Sequence, residues 1–127
     1  MAKILIVDDE PHIRRLLEET LEDFEDYGVE ILTAKNGLEA VDTILKEDPD
    51  IVYLDVMMPE MNGYDVCRVI RNDHAKNNTK IIMLTAKGQL FDKKKGIDSG
   101  VDMYITKPFD PDFIVKSAED ILGIKIE

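Results

Sequence analysis

Apolar and polar positions alternate along this chain in two distinct rhythms. Short unbroken apolar runs, Ile4-Leu5-Ile6-Val7, Ile51-Val52-Tyr53-Leu54 and Ile81-Ile82-Met83-Leu84, have the length and branching of strands buried on both faces. With weaker runs elsewhere they predict strands over 3–7, 30–33, 51–54, 80–84 and 103–105. Between them the apolar residues recur at helical spacing. Ile13, Leu16, Leu17, Leu21 and Phe24 share one helical face; Val41, Ile44 and Leu45 form a second stripe. Val66, Val69 and Ile70 form a third, and Ile114, Ala118, Ile121 and Leu122 the last. The segment 88–99, with Lys93-Lys94-Lys95, carries a weaker helical pattern. Pro11 suits a first helical turn with Asp9 as its N-cap, and Gly123 suits a C-terminal stop.

Five alternations of strand and helix require crossover connections. They predict an α/β fold: a five-stranded parallel sheet, order 2-1-3-4-5, with helices on both faces (flavodoxin-like). A chain of 127 residues fits one domain, here 1–123, followed by a short tail, 124–127. Hydrophobic residues at 44% and charged residues at 34% exclude a disordered or fibrous class.

The order 2-1-3-4-5 changes how the polar residues read. Ligands of open parallel sheets bind beyond the carboxyl ends of the strands where the order reverses, here between strands 1 and 3. Those strands end in Asp8-Asp9 and in Asp55. Thr85 follows the fourth strand, and Lys107 comes shortly after the fifth. Any one of these could be a turn residue or a helix cap. Four strand ends that converge on one crevice by chance are far less expected. Three carboxylates in one crevice repel each other and call for a cation, and all-oxygen ligands favour a hard ion such as Mg²⁺. With the Lys107 ammonium and the Thr85 hydroxyl alongside, the set makes a cradle for phosphoryl oxygens. Asp55 is then placed to act as nucleophile and become an aspartyl phosphate.

Charge and cysteine usage narrow the setting. A formal net charge of -11 argues against nucleic-acid binding by this domain. No apolar stretch approaches the ~18 residues of a bilayer span. The chain runs straight into its first strand without a secretory signal, and a lone Cys67 suits a reducing cytoplasm. His12 and His74 read as solvent-facing, Cys67 as half-buried and inert, and Asn77-Asn78-Thr79 as a chance glycosylation sequon.

Val7-Asp8-Asp9-Glu10, Asp55-Val56-Met57-Met58-Pro59 with Gly63, Leu84-Thr85-Ala86 and Lys107-Pro108-Phe109 together resemble the signature blocks of response-regulator receiver domains. The resemblance spans essentially the whole chain. It implies a phosphorylation-controlled module of a two-component system that takes its phosphoryl group from a sensor histidine kinase or phosphotransfer protein. Asp55 would be the phosphoacceptor, and Asp8, Asp9, Asp55 and the backbone carbonyl of Met57 would bind Mg²⁺. It further implies that Lys107 pairs with the phosphoryl group, that the Lys107-Pro108 bond is cis, and that Thr85 and Tyr104 form the switch. The readout surface would comprise the fourth helix, last strand and last helix, roughly 88–123, facing a downstream protein or a second phosphorylated copy. There Gln89-Leu90-Phe91 and the triple lysine depart from the common pattern; Leu90 and Phe91 are either partner contacts or core. The resemblance also implies that the positions of Met57 and Lys87 tune self-dephosphorylation, and neither side chain is suited to orient an attacking water. The rival class is a Mg²⁺-dependent phosphatase or phosphotransferase with an Asp nucleophile. That class needs an acid two residues after the nucleophile, where Met57 stands, so the chain reads as a switch rather than an enzyme acting on an external product.

Overall fold

A computed structural model describes residues 1–86 and 100–127. Five strands, β1 (Lys3–Val7), β2 (Glu30–Ala34), β3 (Ile51–Asp55), β4 (Lys80–Ala86) and β5 (Met103–Lys107), form one sheet. Their order is β2-β1-β3-β4-β5 and every pairing is parallel, as the alternation predicts. Among the described residues the helices are α1 (Pro11–Leu21), α2 (Gly37–Glu47), α3 (Gly63–Arg68) and α4 (Pro111–Leu122).

Side chains of a strand point alternately to opposite faces, so each apolar run feeds two cores. Leu5, Val7, Val52, Leu54, Ile81 and Met83 pack with Ala40 and Ile44 of α2 and Val66 and Cys67 of α3. Ile4, Ile6, Ile51, Tyr53, Ile82 and Leu84 pack with Leu17 and Leu21 of α1 and Ile114 and Ala118 of α4. All five residues of β3 are buried, which is why that run shows no alternation at all. The Tyr53 hydroxyl meets Ser117 Oγ of α4 at 2.7 Å, tying the central strand to the last helix.

Several details depart from the expectations. Strands β3, β4 and β5 run on to Asp55, Ala86 and Lys107 because the parallel ladder continues through Asp55↔Leu84, Thr85↔Thr106 and Ala86↔Lys107. Asp55, Thr85 and Lys107 therefore lie within the ends of their strands, whereas Asp8 and Asp9 follow β1 as expected. Asp9 does not cap α1: the N-cap is Glu10, without a side-chain cap bond, and Pro11 opens the helix as expected. The Asp8 carboxylate accepts from the Glu10 amide at 3.0 Å, which satisfies the loop and leaves Asp9 exposed. Leu16 and Leu45 are 42% and 41% exposed, at the margins of their helical faces. Phe24 is buried but belongs to a 3₁₀ turn, Glu22–Tyr27, and Val69 and Ile70 lie in a π-helical turn, Val69–Asp73. Cys67 is fully buried rather than half-buried, and burial pushes its thiol up to about 11. His12 and His74 face solvent, and Gly123 ends α4 in the left-handed region.

Candidate functional site

Strands β1 and β3 are neighbours whose following helices lie on opposite faces, so a crevice opens beyond their carboxyl ends. Asp8 and Asp55 sit there, 0% and 4% exposed. Lys107, from the end of β5, bridges them: its Nζ lies 3.2 Å from Asp8 Oδ2 and 3.1 Å from Asp55 Oδ1. The Lys107–Pro108 peptide is cis, as the motif implies. Arg14 Nη1 donates to the Asp8 carbonyl oxygen at 2.8 Å, so a second cation from α1 supports the loop.

The electrostatics of the pair are unequal. Burial, and then the neighbouring Asp8 carboxylate, push Asp55 up to about 6 against the opposing pull of Lys107 and the Met57 amide. Burial pulls Lys107 down, but the Asp55 and Asp8 carboxylates outweigh it and hold the ammonium above its ordinary value. One lysine thus serves two buried carboxylates and leaves Asp55 incompletely compensated. A further cation would be favoured. Carboxylate oxygens of Asp8, Asp9 and Glu10 lie within 4.8 Å of one another, and Asp9 and Glu10 are exposed. These oxygen donors, together with Asp55 and without Cys or His among them, fit a hard divalent ion.

Thr85 completes the surroundings. It is fully buried at the end of β4, and among the described residues its Oγ1 is a buried side-chain oxygen with no hydrogen-bond partner. Buried hydroxyls are normally paired, so this one stands out as a donor in reserve. Close approach of the next loop requires Gly63: a Cβ there would fall 2.6 Å from the Asp55 carbonyl oxygen and 2.7 Å from Met83 Sδ. Asn62 and Asp65 cap the helix that follows in a reciprocal capping box, fixing where that loop ends. The Met57 side chain, two residues after Asp55, is 63% exposed. Tyr104 is half-buried on β5, its hydroxyl 3.4 Å from that of Tyr64.

The crevice therefore brings together Asp8, Asp55 and Lys107, with Asp9 at its rim and Thr85 buried at the end of β4. Two residues escaped the sequence reading. Glu10 joins the acidic cluster, and the run Asp8-Asp9-Glu10 was its signal. Arg14 was hidden because one more basic residue on an amphipathic helix announces nothing. Lys87, Leu90, Phe91 and the predicted helix over 88–99 lie outside the described residues.

The fold and crevice define the class: a doubly wound α/β domain whose acidic, lysine-bridged site lies at the switch point of its sheet. The profile of the response regulator receiver domain matches residues 4–119, and the chain belongs to that family. It is 40% identical over 121 residues to Protein PilG of Pseudomonas aeruginosa, covering 95% of this chain and 82% of that protein. It is 46% identical over 121 residues to the transcriptional regulatory protein ResD of Bacillus subtilis, covering 95% of this chain and 48% of ResD. The "Probable transcriptional regulator ycf27" of Porphyra purpurea is 48% identical over 109 residues, 86% of this chain and 42% of that protein. The chain thus spans less than half the length of ResD and ycf27. Among solved structures, chemotaxis protein CheY4 of Vibrio cholerae superposes with a TM-score of 0.83 at 34% identity, covering 95% of this chain and 98% of that one. Domains of this family are signalling switches of two-component systems, phosphorylated by a kinase, and they bind Mg²⁺ at an acidic pocket. Among the described residues no helix is long and apolar enough to cross a membrane.

Proposed function

We propose that this chain is a cytoplasmic phosphorylation switch in which Asp55 accepts a phosphoryl group from a phosphohistidine on a sensor kinase or phosphotransfer protein. The observation that carries this reading is one lysine shared by two buried carboxylates, with a buried hydroxyl at the end of the next strand that has no partner among the described residues. With its pKa near 6, Asp55 is ionised at neutral pH and able to attack. Its oxygen forms the new O–P bond as the N–P bond of the donor breaks, and the electron pair of that bond stays on the imidazole nitrogen. Lys107 offsets charge on the transferred group, and the Thr85 hydroxyl finds in a phosphoryl oxygen the acceptor it otherwise lacks. Asp8, Asp9, Asp55 and the Met57 carbonyl would hold Mg²⁺, with Glu10 at the rim. Bound there, the ion supplies the positive charge that two buried carboxylates and a phosphoryl group require.

Readout follows from Thr85. Its shift toward the phosphoryl group changes the packing beside Tyr104, which biases the surface that includes β5 and α4. Met103 and Phe113, 37% and 49% exposed, give that surface apolar contacts for a downstream protein or a second phosphorylated copy. The test is intact-mass analysis after incubation with a small phosphodonor, with and without Mg²⁺, on the wild type and Asp55→Asn. A single Mg²⁺-dependent adduct absent from the variant is expected; no adduct on the wild type overturns the reading. Because the exposed Met57 thioether cannot orient an attacking water, the adduct should decay slowly, and a half-life of seconds in purified protein would contradict this.

A further inference from the structure

The end of β3 is connected to Tyr104 by a second set of contacts, independent of Thr85. The Gly63 amide donates to the Val56 carbonyl oxygen at 2.9 Å, and the Gly63 Cα lies so close to the Asp55 carbonyl that no Cβ fits between them. The next residue, Tyr64, is only 3% exposed, and its ring belongs to the core shared by Met83, Val66 and Val56. Tyr104, packed against the edge of the same core, points its hydroxyl at that of Tyr64. A half-buried tyrosine on an edge strand can rotate between core and solvent, and whatever holds its polar tip selects between them.

We propose that Tyr64 is a positioning residue whose hydroxyl holds Tyr104 in its core-side position, biasing the switch toward its phosphorylated form before the phosphoryl group arrives. This rests on Asp55 being the phosphoacceptor and Tyr104 the moving residue. At 3.4 Å the hydroxyl pair is long for an O–H···O bond, so its effect is small: about two- to five-fold in an equilibrium constant. By linkage, a residue that favours the phosphorylated arrangement must raise affinity for a phosphoryl mimic by the same factor.

The experiment uses the protein labelled with 3-fluorotyrosine, as wild type, Tyr64→Phe, Tyr104→Phe and the double variant. Phenylalanine keeps the rings and their packing and removes only the hydroxyls. Fluorine NMR is recorded without ligand, and again through a titration with beryllofluoride and Mg²⁺. In the unliganded protein, Tyr64→Phe should move the Tyr104 resonance toward its solvent-exposed value. Each single variant should weaken Mg²⁺-dependent beryllofluoride binding by about two- to five-fold, and the double variant no further than either single one. An unmoved Tyr104 resonance, unchanged or tighter binding, or additive losses would each overturn the proposal. Absence of beryllofluoride binding to the wild type would instead overturn the Asp55 reading. The unliganded Tyr104 resonance would still decide whether Tyr64 positions it.

Discussion

The two ends of the sheet are built on opposite principles. At the amino edge the buried polar groups of the described residues have partners. The Arg71 guanidinium, 9% exposed, donates to the carbonyl oxygens of Gly100 at 3.1 Å, Lys76 at 2.7 Å and Thr79 at 2.8 Å, and to Asp102 Oδ2 at 2.9 Å. Asp102 also accepts the Ile81 amide at 2.7 Å, and the buried Thr79 hydroxyl donates to the Pro49 carbonyl at 2.8 Å. Lys3 reaches Glu47 at 2.9 Å while its amide donates to Asp50 at 2.9 Å. At the carboxyl edge, by contrast, two buried carboxylates share one lysine, and a buried threonine has no hydrogen-bond partner among the described residues. Buried polar groups are costly when unpaired, so the first arrangement stabilises the fold and the second weakens it. Under the proposed function, a phosphoryl group and a divalent ion would supply what the carboxyl edge lacks.

The largest effect should come from breaking the satisfied end. Arg71→Met leaves three carbonyls and Asp102 without their common donor, and the cost should be about 3 kcal/mol in urea unfolding. Gly100, at φ 86° with the Arg71 side chain 2.7 Å from where a Cβ would stand, marks how closely the chain closes on that guanidinium. Phosphorylation of the folded variant should proceed at the wild-type rate, because nothing in this network reaches Asp55. A loss below about 1 kcal/mol would mean that water replaces Arg71 and that the amino edge is not the lock described.

Removing charge from the unsatisfied end should do the reverse. With Asp55 raised to about 6 in the fold, from an ordinary 3.8, the folded chain holds its proton more tightly than the unfolded chain does. Below the ordinary value both states are protonated and nothing is lost. As pH rises through the interval up to about 6 the ionised form penalises the fold, and above it the penalty is complete. Asp55→Asn, neutral at every pH, should therefore stabilise the metal-free protein by roughly 2 kcal/mol at neutral pH. The gain should vanish near pH 4 and shrink in saturating Mg²⁺. Unfolding curves at both pH values check this; a gain that does not vary with pH would mean that Lys107 compensates Asp55 fully.

How far the two ends were legible in advance follows from the same contrast. The sheet order and both cores were readable because β1, β3 and β4 are buried on both faces, and nothing but long apolar runs satisfies that. Asp8, Asp55, Thr85 and Lys107 stood out because each polar residue interrupts or ends such a run at a strand terminus. The amino edge was invisible. Arg71 reads as one polar residue among Arg71-Asn72-Asp73, and its partners are mostly backbone carbonyls in loops without periodicity. Backbone acceptors leave no mark on a sequence. The helix α1 begins at Pro11, so its cap position falls on Glu10 rather than Asp9, and a boundary shift of one residue leaves no mark on a sequence. The hydroxyl pair of Tyr64 and Tyr104 joins residues forty positions apart on separate elements, which no local pattern reports.

The finest comparison lies between two buried threonines, one at each end of β4. Thr79 and Thr85 are both 0% exposed, but among the described residues the first hydroxyl is bonded and the second is not. Valine replaces a threonine hydroxyl with a methyl group of nearly the same shape. Thr79→Val should destabilise by about 1 kcal/mol, since the Pro49 carbonyl loses its donor. Thr85→Val should stabilise by a similar amount of about 1 kcal/mol, since a desolvated hydroxyl with no partner is replaced by a group that belongs in a core. Thermal unfolding of the two variants in metal-free buffer would show melting temperatures moving in opposite directions. If both fall, the Thr85 hydroxyl is satisfied in solution, and the carboxyl edge holds no donor in reserve. If they diverge, the same substitution that strengthens the fold should weaken the response to phosphorylation, because the only change is loss of the hydroxyl that a phosphoryl oxygen would engage. Stability and signalling would then be traded at a single oxygen atom.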